Sequence, residues 1–282
     1  MGVRRPVVAG SFYAGSREAL VRQVEGCFRH ELGPGGVPEV AGGGLRRVVA
    51  LVCPHAGYMY SGPVAAHAYY RLASDGRPDV VVILGPNHQG VGSIIATVEG
   101  GVWRTPLGDV EVDGEIAKKI VEYSGLVDFD EAAHAYEHSI EVQLPFLQYL
   151  YGSGFRIVPI SMLMQDRESS VEVGEAVAKA VSGLNAVVIA STDLTHYEPQ
   201  SSANRKDRAV IDAVLRMDVD ALYRTIESLN VSMCGYGPTA AAITAARALG
   251  AGEAELLCYK TSGDITGDMS AVVGYAAIAI QR

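Results

Sequence analysis

The stretch VVALVCPHAGY, residues 48–58, opens with a run of β-branched and aliphatic residues and continues into a proline and a histidine. The runs VVVIL at residues 80–84 and AVVIA at residues 186–190 have the same character. Short apolar runs that end in proline, glycine or polar residues are typical of buried strands. Helical patterns alternate with these runs and no linker interrupts them. The sequence therefore predicts a single α/β domain over residues 1–282, with one sheet covered by helices on both faces.

Polar side chains with metal-binding or acid–base chemistry follow each predicted strand. His55 follows the first run, His88 follows the second, and Asp193 and His196 follow the third. Parallel strands present their carboxyl ends at one edge of a sheet, where α/β proteins bind ligands. A single histidine after a strand is more often structural, but three in equivalent positions predict a shared site for a metal ion or a substrate.

Composition excludes several classes of protein. The chain has 282 residues, of which 49% are hydrophobic and 20% charged, and a net charge of -9. Acidic balance without a basic stripe argues against nucleic-acid binding. We expect no membrane span and no signal peptide, because no apolar run has the required length. The four cysteines are scattered and form no C-x-x-C pair, which favours a reducing, cytoplasmic setting.

Three further segments carry predictions about local structure. Asn204–Leu222 is expected to form one long helix, and Ile140–Tyr151 a helix that Pro145 kinks or restarts. Trp103–Asp109 is expected to form a turn.

The histidine set favours a transition metal. Neutral imidazole is a good ligand for iron, copper and zinc, and a mononuclear site usually adds a third protein ligand, here a carboxylate or a thiolate. Cys234 lies in a glycine-bounded loop before a predicted helix. A helix N-terminus lowers a thiol pKa, so Cys234 is expected either as a thiolate, ligand or nucleophile, or as an inert buried residue.

A second cluster, HAYEHSIE at residues 134–141, contains two histidines with helical spacing. No glutamate follows His134 directly, so the resemblance to a zincin motif is loose. One interpretation is purely structural: the segment is the polar start of a helix, Ser139 is its N-cap and Glu141 faces solvent. The alternative is that His138 faces a substrate.

Five aromatic residues lie in or near the predicted loops: Tyr13, Tyr58, Tyr60, Trp103 and Tyr197. Such side chains can line a pocket for a planar ligand, or they can simply pack at the edge of the core.

Several motifs, in this order, resemble those of the MEMO family. The matching segments are VAGSFY at 8–13, PHAGYMYSG at 54–62, GPNH at 85–88, TPLG at 105–108, EHSIEVQLP at 137–145, TDLTH at 192–196 and Cys234-Gly235. The resemblance covers nearly the whole chain.

This resemblance implies the fold of class III extradiol ring-cleaving dioxygenases, a three-layer α/β/α domain with a central mixed sheet. It implies that His55 and His88 are metal ligands and that His196 is an acid–base residue. Cys234 takes the place of the carboxylate ligand of the dioxygenases, and this softer set would bind Fe(II), copper or zinc. The implied activity is redox chemistry at iron or copper.

Three functions follow as hypotheses. The first is a redox metalloprotein or oxidoreductase. In it, Asp193 orients a site residue, and the side chains that contact the substrate are those of His138, Tyr58, Tyr13 and Trp103. The second is a binding module for a peptide or small molecule that keeps the fold without the chemistry. The third is a thiol hydrolase with Cys234 as nucleophile and His196 as base.

Overall fold

The computed structural model describes residues 2–42 and 46–282, and these residues form a large mixed sheet with helices on both faces. The strands in chain order are β1 (Val3–Arg4), β2 (Val48–Cys53), β3 (Val80–Pro86), β4 (Ile95–Thr97), β5 (Val102–Thr105), β6 (Gly108–Val112), β7 (Asp128–Phe129), β8 (Arg156–Met162), β9 (Ala186–Ser191), β10 (His196–Glu198), β11 (Glu253–Thr261) and β12 (Val272–Gln281). The helices are α1 (Arg17–Arg29), α2 (Tyr58–Asp75), α3 (Gly114–Tyr123), α4 (Ala132–Ala135), α5 (Leu144–Tyr151), α6 (Arg167–Val181), α7 (Gln200–Leu215), α8 (Val219–Leu229), α9 (Tyr236–Ala248) and α10 (Ser262–Thr266).

The sheet order brings the carboxyl ends of the strands that carry the predicted site together. The main path is β1-β5-β6-β8-β3-β9-β2-β12-β10, with β11 on β12, β4 on β8 and β7 on β4. The central strands β8, β3, β9 and β2 are parallel, whereas β12 is antiparallel to β2. Leu84 of β3 aligns with Ala190 of β9, and Cys53 of β2 aligns with Ser191. The residues that follow β2, β3 and β9 therefore lie side by side at the carboxyl end of the sheet.

The central strands bury side chains on both faces, as the continuous apolar runs predict. On β3, Val80, Val82 and Leu84 pack into one core, and Val81 and Ile83 pack into the other. Helices α1, α2 and α5 cover the second face, and α3, α6, α7, α8 and α9 cover the first. The predicted three-layer α/β/α arrangement with a mixed sheet is confirmed. No helix in the described part of the chain is long and apolar enough to cross a membrane.

The long helix predicted over Asn204–Leu222 is wrong, because the chain forms two helices there. Helix α7 ends at Leu215, and Met217 has a left-handed conformation with φ of 50°. The Asp218 side chain then accepts a hydrogen bond from the Ala221 N–H and caps α8. Hydrophobic periodicity continues through the break, so the sequence pattern does not indicate where the first helix ends.

Of the two outcomes predicted for Pro145, a kink or a restart, the structure shows the restart. Pro145 lies in the first turn of α5, where a missing N–H costs nothing. A 3-10 turn, Glu141–Gln143, precedes that helix. The predicted turn Trp103–Asp109 is narrower in the structure: the β5–β6 hairpin reverses at Pro106–Leu107, and Thr105 pairs with Gly108, whose φ is 127°.

Candidate metal centre

Three imidazoles meet at the carboxyl edge of the central strands. His55 follows β2, His88 follows β3, and His138 belongs to the segment between α4 and the 3-10 turn. Each offers a ring nitrogen, and these nitrogens all lie within 4.8 Å of one another. The rings of His88 and His138 stack with centroids 4.7 Å apart, and the His55 ring lies 5.3 and 5.5 Å from them. The structure thus brings His55 and His88 together, as predicted, and adds His138 to them.

A buried hydroxyl holds His55. Its Nδ1 lies 2.9 Å from Ser191 Oγ, and that hydroxyl donates to the Ser139 carbonyl at 2.7 Å. A hydroxyl has one proton, so when it is donated to Ser139 the hydroxyl can only accept from His55. Nδ1 of His55 is therefore the protonated nitrogen, and Nε2 carries the lone pair.

A buried carboxylate holds the other two histidines. Glu137 is 1% exposed and accepts from the His88 N–H at 2.6 Å and from His88 Nδ1 at 3.0 Å. It also accepts from the backbone N–H groups of His138 and Ser139, both at 2.8 Å. A carboxylate only accepts, so Nδ1 of His88 is the protonated nitrogen. Carboxylates that orient imidazoles in this way are usual around metal-binding histidines.

The electrostatics of the cluster favour uncharged imidazole. Burial lowers the pKa of His55 well below its usual range and lowers that of His138, and the neighbouring histidines act in the same direction. For Glu137, burial acts to raise the pKa, but the hydrogen bond and charge of His88 and the Ser139 N–H outweigh it and bring the pKa to about 2. A metal requires neutral histidine ligands, and at neutral pH His55 and His138 satisfy this.

Cys234 lies beside His55. Its Sγ is 3.4 Å from His55 Nε2, and it accepts from the Asp193 N–H at 3.2 Å. A Cβ on Gly235 would come within 2.5 Å of the Ser191 carbonyl oxygen, so only glycine lets this loop approach the end of β9 so closely. Burial raises the pKa of the Cys234 thiol, which corrects the expectation that the start of α9 lowers it in the metal-free protein. The sulfur contacts His55 and not His196, so the predicted pairing of nucleophile and base is not the one observed.

His196 and Asp193 lie in the same cleft. His196 Nδ1 is 2.7 Å from the Ser232 carbonyl, which only accepts, so Nε2 is the nitrogen able to take up a proton. Asp193 is buried and accepts from the His55 N–H at 2.9 Å. Burial raises the Asp193 pKa to about 6.

The cleft has a volume of about 660 Å³, and two of the five aromatic residues named from the sequence, Tyr60 and Tyr197, line it. Phe12, Tyr60, Tyr197 and Tyr275 line it together with the histidines. The Phe12 ring packs edge-on against His138 at 4.9 Å. Tyr197 is 77% exposed and has φ of 58°, which is uncommon for a residue with a large side chain and typical of functional loops.

The structure does not bring Tyr13, Tyr58 or Trp103 to the cleft wall. The Tyr13 hydroxyl donates to Glu141 Oε1 at 2.6 Å, and the Tyr58 hydroxyl donates to the Val142 carbonyl at 2.7 Å. Trp103 lies in β5 and lines a separate cavity of about 500 Å³. All three are at most 3% exposed, so packing accounts for them in this structure.

The purely structural interpretation of residues 134–141 is wrong for both Glu141 and Ser139. Glu141 is fully buried and pairs with Arg4, and it accepts from the Val7 and Val8 N–H groups at 2.9 and 3.1 Å. Ser139 does not cap a helix, because its hydroxyl donates to the Pro86 carbonyl. His134 and His138 share no helical face, since α4 ends at Ala135 and His134 bonds the Ala96 carbonyl.

The sequence did not single out Glu137, Ser191 or Gln143 as supporting residues. Glu137 stands next to His138 in the sequence, and a glutamate between two histidines was a signal that could have been used. Ser191 directly follows a strand run, but serine at a strand end is common. Gln143 is 89 residues from Pro54, to which its amide donates, so no local pattern announces it.

The fold and the histidine cluster define an α/β protein with a candidate transition-metal centre at the carboxyl edge of its sheet. Residues 4–279 match the Memo-like protein family, and the chain belongs to that family. A MEMO1 family protein of Methanopyrus kandleri is 56% identical over 281 residues, covering 99% of both chains. Another, of Aeropyrum pernix, is 49% identical over 282 residues, covering 99% of this chain and 100% of the relative.

A solved structure supports the architecture. The chain resembles the crystal structure of an uncharacterized protein from Escherichia coli K12, with a TM-score of 0.56 and 15% sequence identity. The similarity covers 82% of this chain and 99% of the other. At this identity the match shows the fold alone.

Proposed function

We propose that this Memo-family chain is a redox metalloprotein that binds one iron or copper ion through His55, His88 and Cys234. The observation that carries the proposal is the support of the imidazoles. His55 and His88 are each held through Nδ1, by a buried hydroxyl and a buried carboxylate, beside a third imidazole. Residues that hold histidines in this way serve to orient metal ligands.

Ring nitrogens of His55, His88 and His138 form one cluster, so the third ligand is either a third imidazole or a sulfur, and we propose the sulfur of Cys234. Its Sγ is 3.4 Å from His55 Nε2, and the Asp193 N–H points to it. An N–H donated to sulfur favours the thiolate over the thiol. Two imidazoles and one thiolate suit Cu(I), Fe(II) and zinc, and softness favours Cu(I). His138 then faces the substrate.

An iron or copper ion bound here would supply one-electron chemistry, which amino-acid side chains do not. The protein's own groups move the proton and hold the ligands. His196, with Nδ1 fixed on Ser232, has Nε2 free to accept or donate a proton in the cleft. Asp193 fixes the His55 backbone. The cleft of about 660 Å³ is large enough for a small molecule or the side chain of a peptide.

Anaerobic calorimetry with Fe(II) and with Cu(I) tests the proposal on five proteins, wild type and four variants that include His138→Ala. Wild type is expected to bind one ion per chain, and Cys234→Ala and His88→Ala to bind it at least tenfold more weakly. Cys258→Ala is the matched control, because Cys258 is also a half-buried free cysteine but lies on β11. It is expected to bind like wild type. Oxidation of the loaded protein by ferricyanide, followed by reduction with dithionite, then tests the redox part.

Each outcome decides one part of the proposal. If His138→Ala weakens binding and Cys234→Ala does not, three histidines hold the ion and the assignment of sulfur is overturned. If wild type binds neither ion, the metalloprotein proposal is overturned and a binding module takes its place. If the ion binds but cannot be oxidised and reduced, the redox role is overturned.

A further inference from the structure

A chain of buried hydrogen bonds runs to His55 from helix α2. The Tyr69 hydroxyl donates to Gln143 Oε1 at 2.6 Å. Gln143 Nε2 donates to the Pro54 carbonyl at 3.0 Å and to Ser191 Oγ at 2.7 Å. Ser191 in turn lies 2.9 Å from His55 Nδ1. Tyr69 and Ser191 are fully buried and Gln143 is 1% exposed, so water does not compete for these bonds.

The direction of every bond in this chain is fixed. A carbonyl only accepts, so Pro54 identifies the Gln143 nitrogen, and the Gln143 oxygen must face Tyr69. Both amide protons are then used, one on Pro54 and one on Ser191. The Ser191 proton goes to the Ser139 carbonyl at 2.7 Å. The lone pair that remains on Ser191 can be satisfied only by a proton on His55 Nδ1.

We propose that Gln143 and Ser191 are positioning residues that set the tautomer of His55, with the proton on Nδ1 and the lone pair on Nε2. Imidazole free of such a constraint interconverts between two tautomers, and only one of them presents a lone pair on Nε2 to the cleft. The tautomer itself does not depend on a metal. Its consequence, a pre-oriented metal ligand, rests on the proposed function.

The tautomer can be read directly from two-bond 1H–15N NMR spectra of chelator-treated, metal-free protein, with His55→Gln used to assign the signal. Wild type is expected to give the pattern of a neutral Nδ1–H imidazole for His55. Ser191→Ala is expected to shift the population toward Nε2–H, which can donate to Cys234. Gln143→Met leaves the Ser191 hydroxyl free to turn, and a smaller shift is expected.

Matched controls separate positioning from general damage to the core. Ser161→Ala removes an equally buried hydroxyl on β8, and Gln148→Met removes a buried amide on α5 that donates to the Gly108 carbonyl. Neither is expected to change the His55 signal. If Ser191→Ala does not fold, Gln143→Met still carries the test.

Affinity gives the second readout. Ser191→Ala is expected to weaken metal binding roughly 10- to 100-fold, and the controls less than threefold. The inference is overturned if wild type shows the Nε2–H tautomer, or if folded Ser191→Ala and Gln143→Met both keep the wild-type signal. A wild-type protein with the expected tautomer and no metal affinity would instead overturn the proposed function and leave the tautomer assignment standing.

Discussion

Two carboxylates of one short segment, Glu137 and Glu141, are equally buried and do different work. Glu137 is buried beside His88 and His138 and bonds titratable imidazoles and backbone N–H groups. Glu141 faces the N-terminal segment and bonds Arg4, Tyr13 and two backbone N–H groups. A carboxylate that is paired with a permanent cation stabilises the fold, whereas one that orients neutral imidazoles prepares a site. Glu141 therefore has a structural role, and Glu137, four residues earlier, supports the candidate site.

The comparison predicts its largest effect at Glu141. Glu141→Gln leaves the Arg4 guanidinium, whose side chain is 11% exposed, without its counter-charge. We expect the free energy of unfolding to fall by roughly 3–5 kcal/mol, measured by urea denaturation. In Glu253→Gln, which breaks an ion pair with Arg47 that is more than 60% exposed on both sides, we expect a loss of less than about 1 kcal/mol. Equal losses in the two variants would contradict a structural role for Glu141.

The two sides of the segment should also respond to different pH ranges. On the N-terminal side, burial lowers the pKa of His134 to about 4. The unfolded chain binds this proton below pH 6.5 and the folded one does not, so stability is full above pH 6.5 and falls until about pH 4. The loss amounts to about 3 kcal/mol at 1.36 kcal/mol per pKa unit.

On the cleft side, the depressed pKa of Glu137 acts in a lower range. Its contribution to stability is present above its ordinary pKa of 4.5 and is lost as pH falls toward about 2.

Urea denaturation between pH 7 and 4 tests the prediction for His134 by comparing wild type with His134→Gln. Buried His55 and His138 act in the same direction in both proteins. If the variant is as acid-sensitive as wild type, His134 is not responsible.

For Glu137 itself, metal affinity should be sensitive in addition to stability. Glu137→Gln keeps the shape but replaces one acceptor oxygen by an NH₂ group, so His88 and His138 lose a shared acceptor. We expect metal affinity to fall roughly 10- to 100-fold by calorimetry, with a smaller loss of unfolding free energy than in Glu141→Gln. Glu172→Gln, which neutralises the carboxylate that accepts from Ser124 and Gly125, is the control and should bind metal normally. Normal binding in Glu137→Gln would remove the functional half of the comparison.

The sequence predicted the edge of the sheet better than it predicted this segment. His55 and His88 could be placed because a strand that is apolar along its whole length must be buried, and its end then fixes where the next side chains lie. Glu141 could not, because its partners Arg4, Val7 and Val8 are more than 130 residues away. Ser191 and Gln143 escaped for the same reason, since their roles depend on bonds between elements distant in the sequence.

Phe12 joins the two sides and gives the smallest expected effect. Its ring packs on His138 in the cleft, and its carbonyl accepts from the Tyr58 N–H, which ties the N-terminal segment to α2. Phe12→Leu keeps the backbone bond and removes the edge-on contact, which is worth about 0.5–1.5 kcal/mol. We expect a loss of stability of that size and a change in metal affinity of less than tenfold. A larger loss of affinity would mean that the N-terminal segment holds the metal ligands in place, and the division between the two carboxylates would then be wrong.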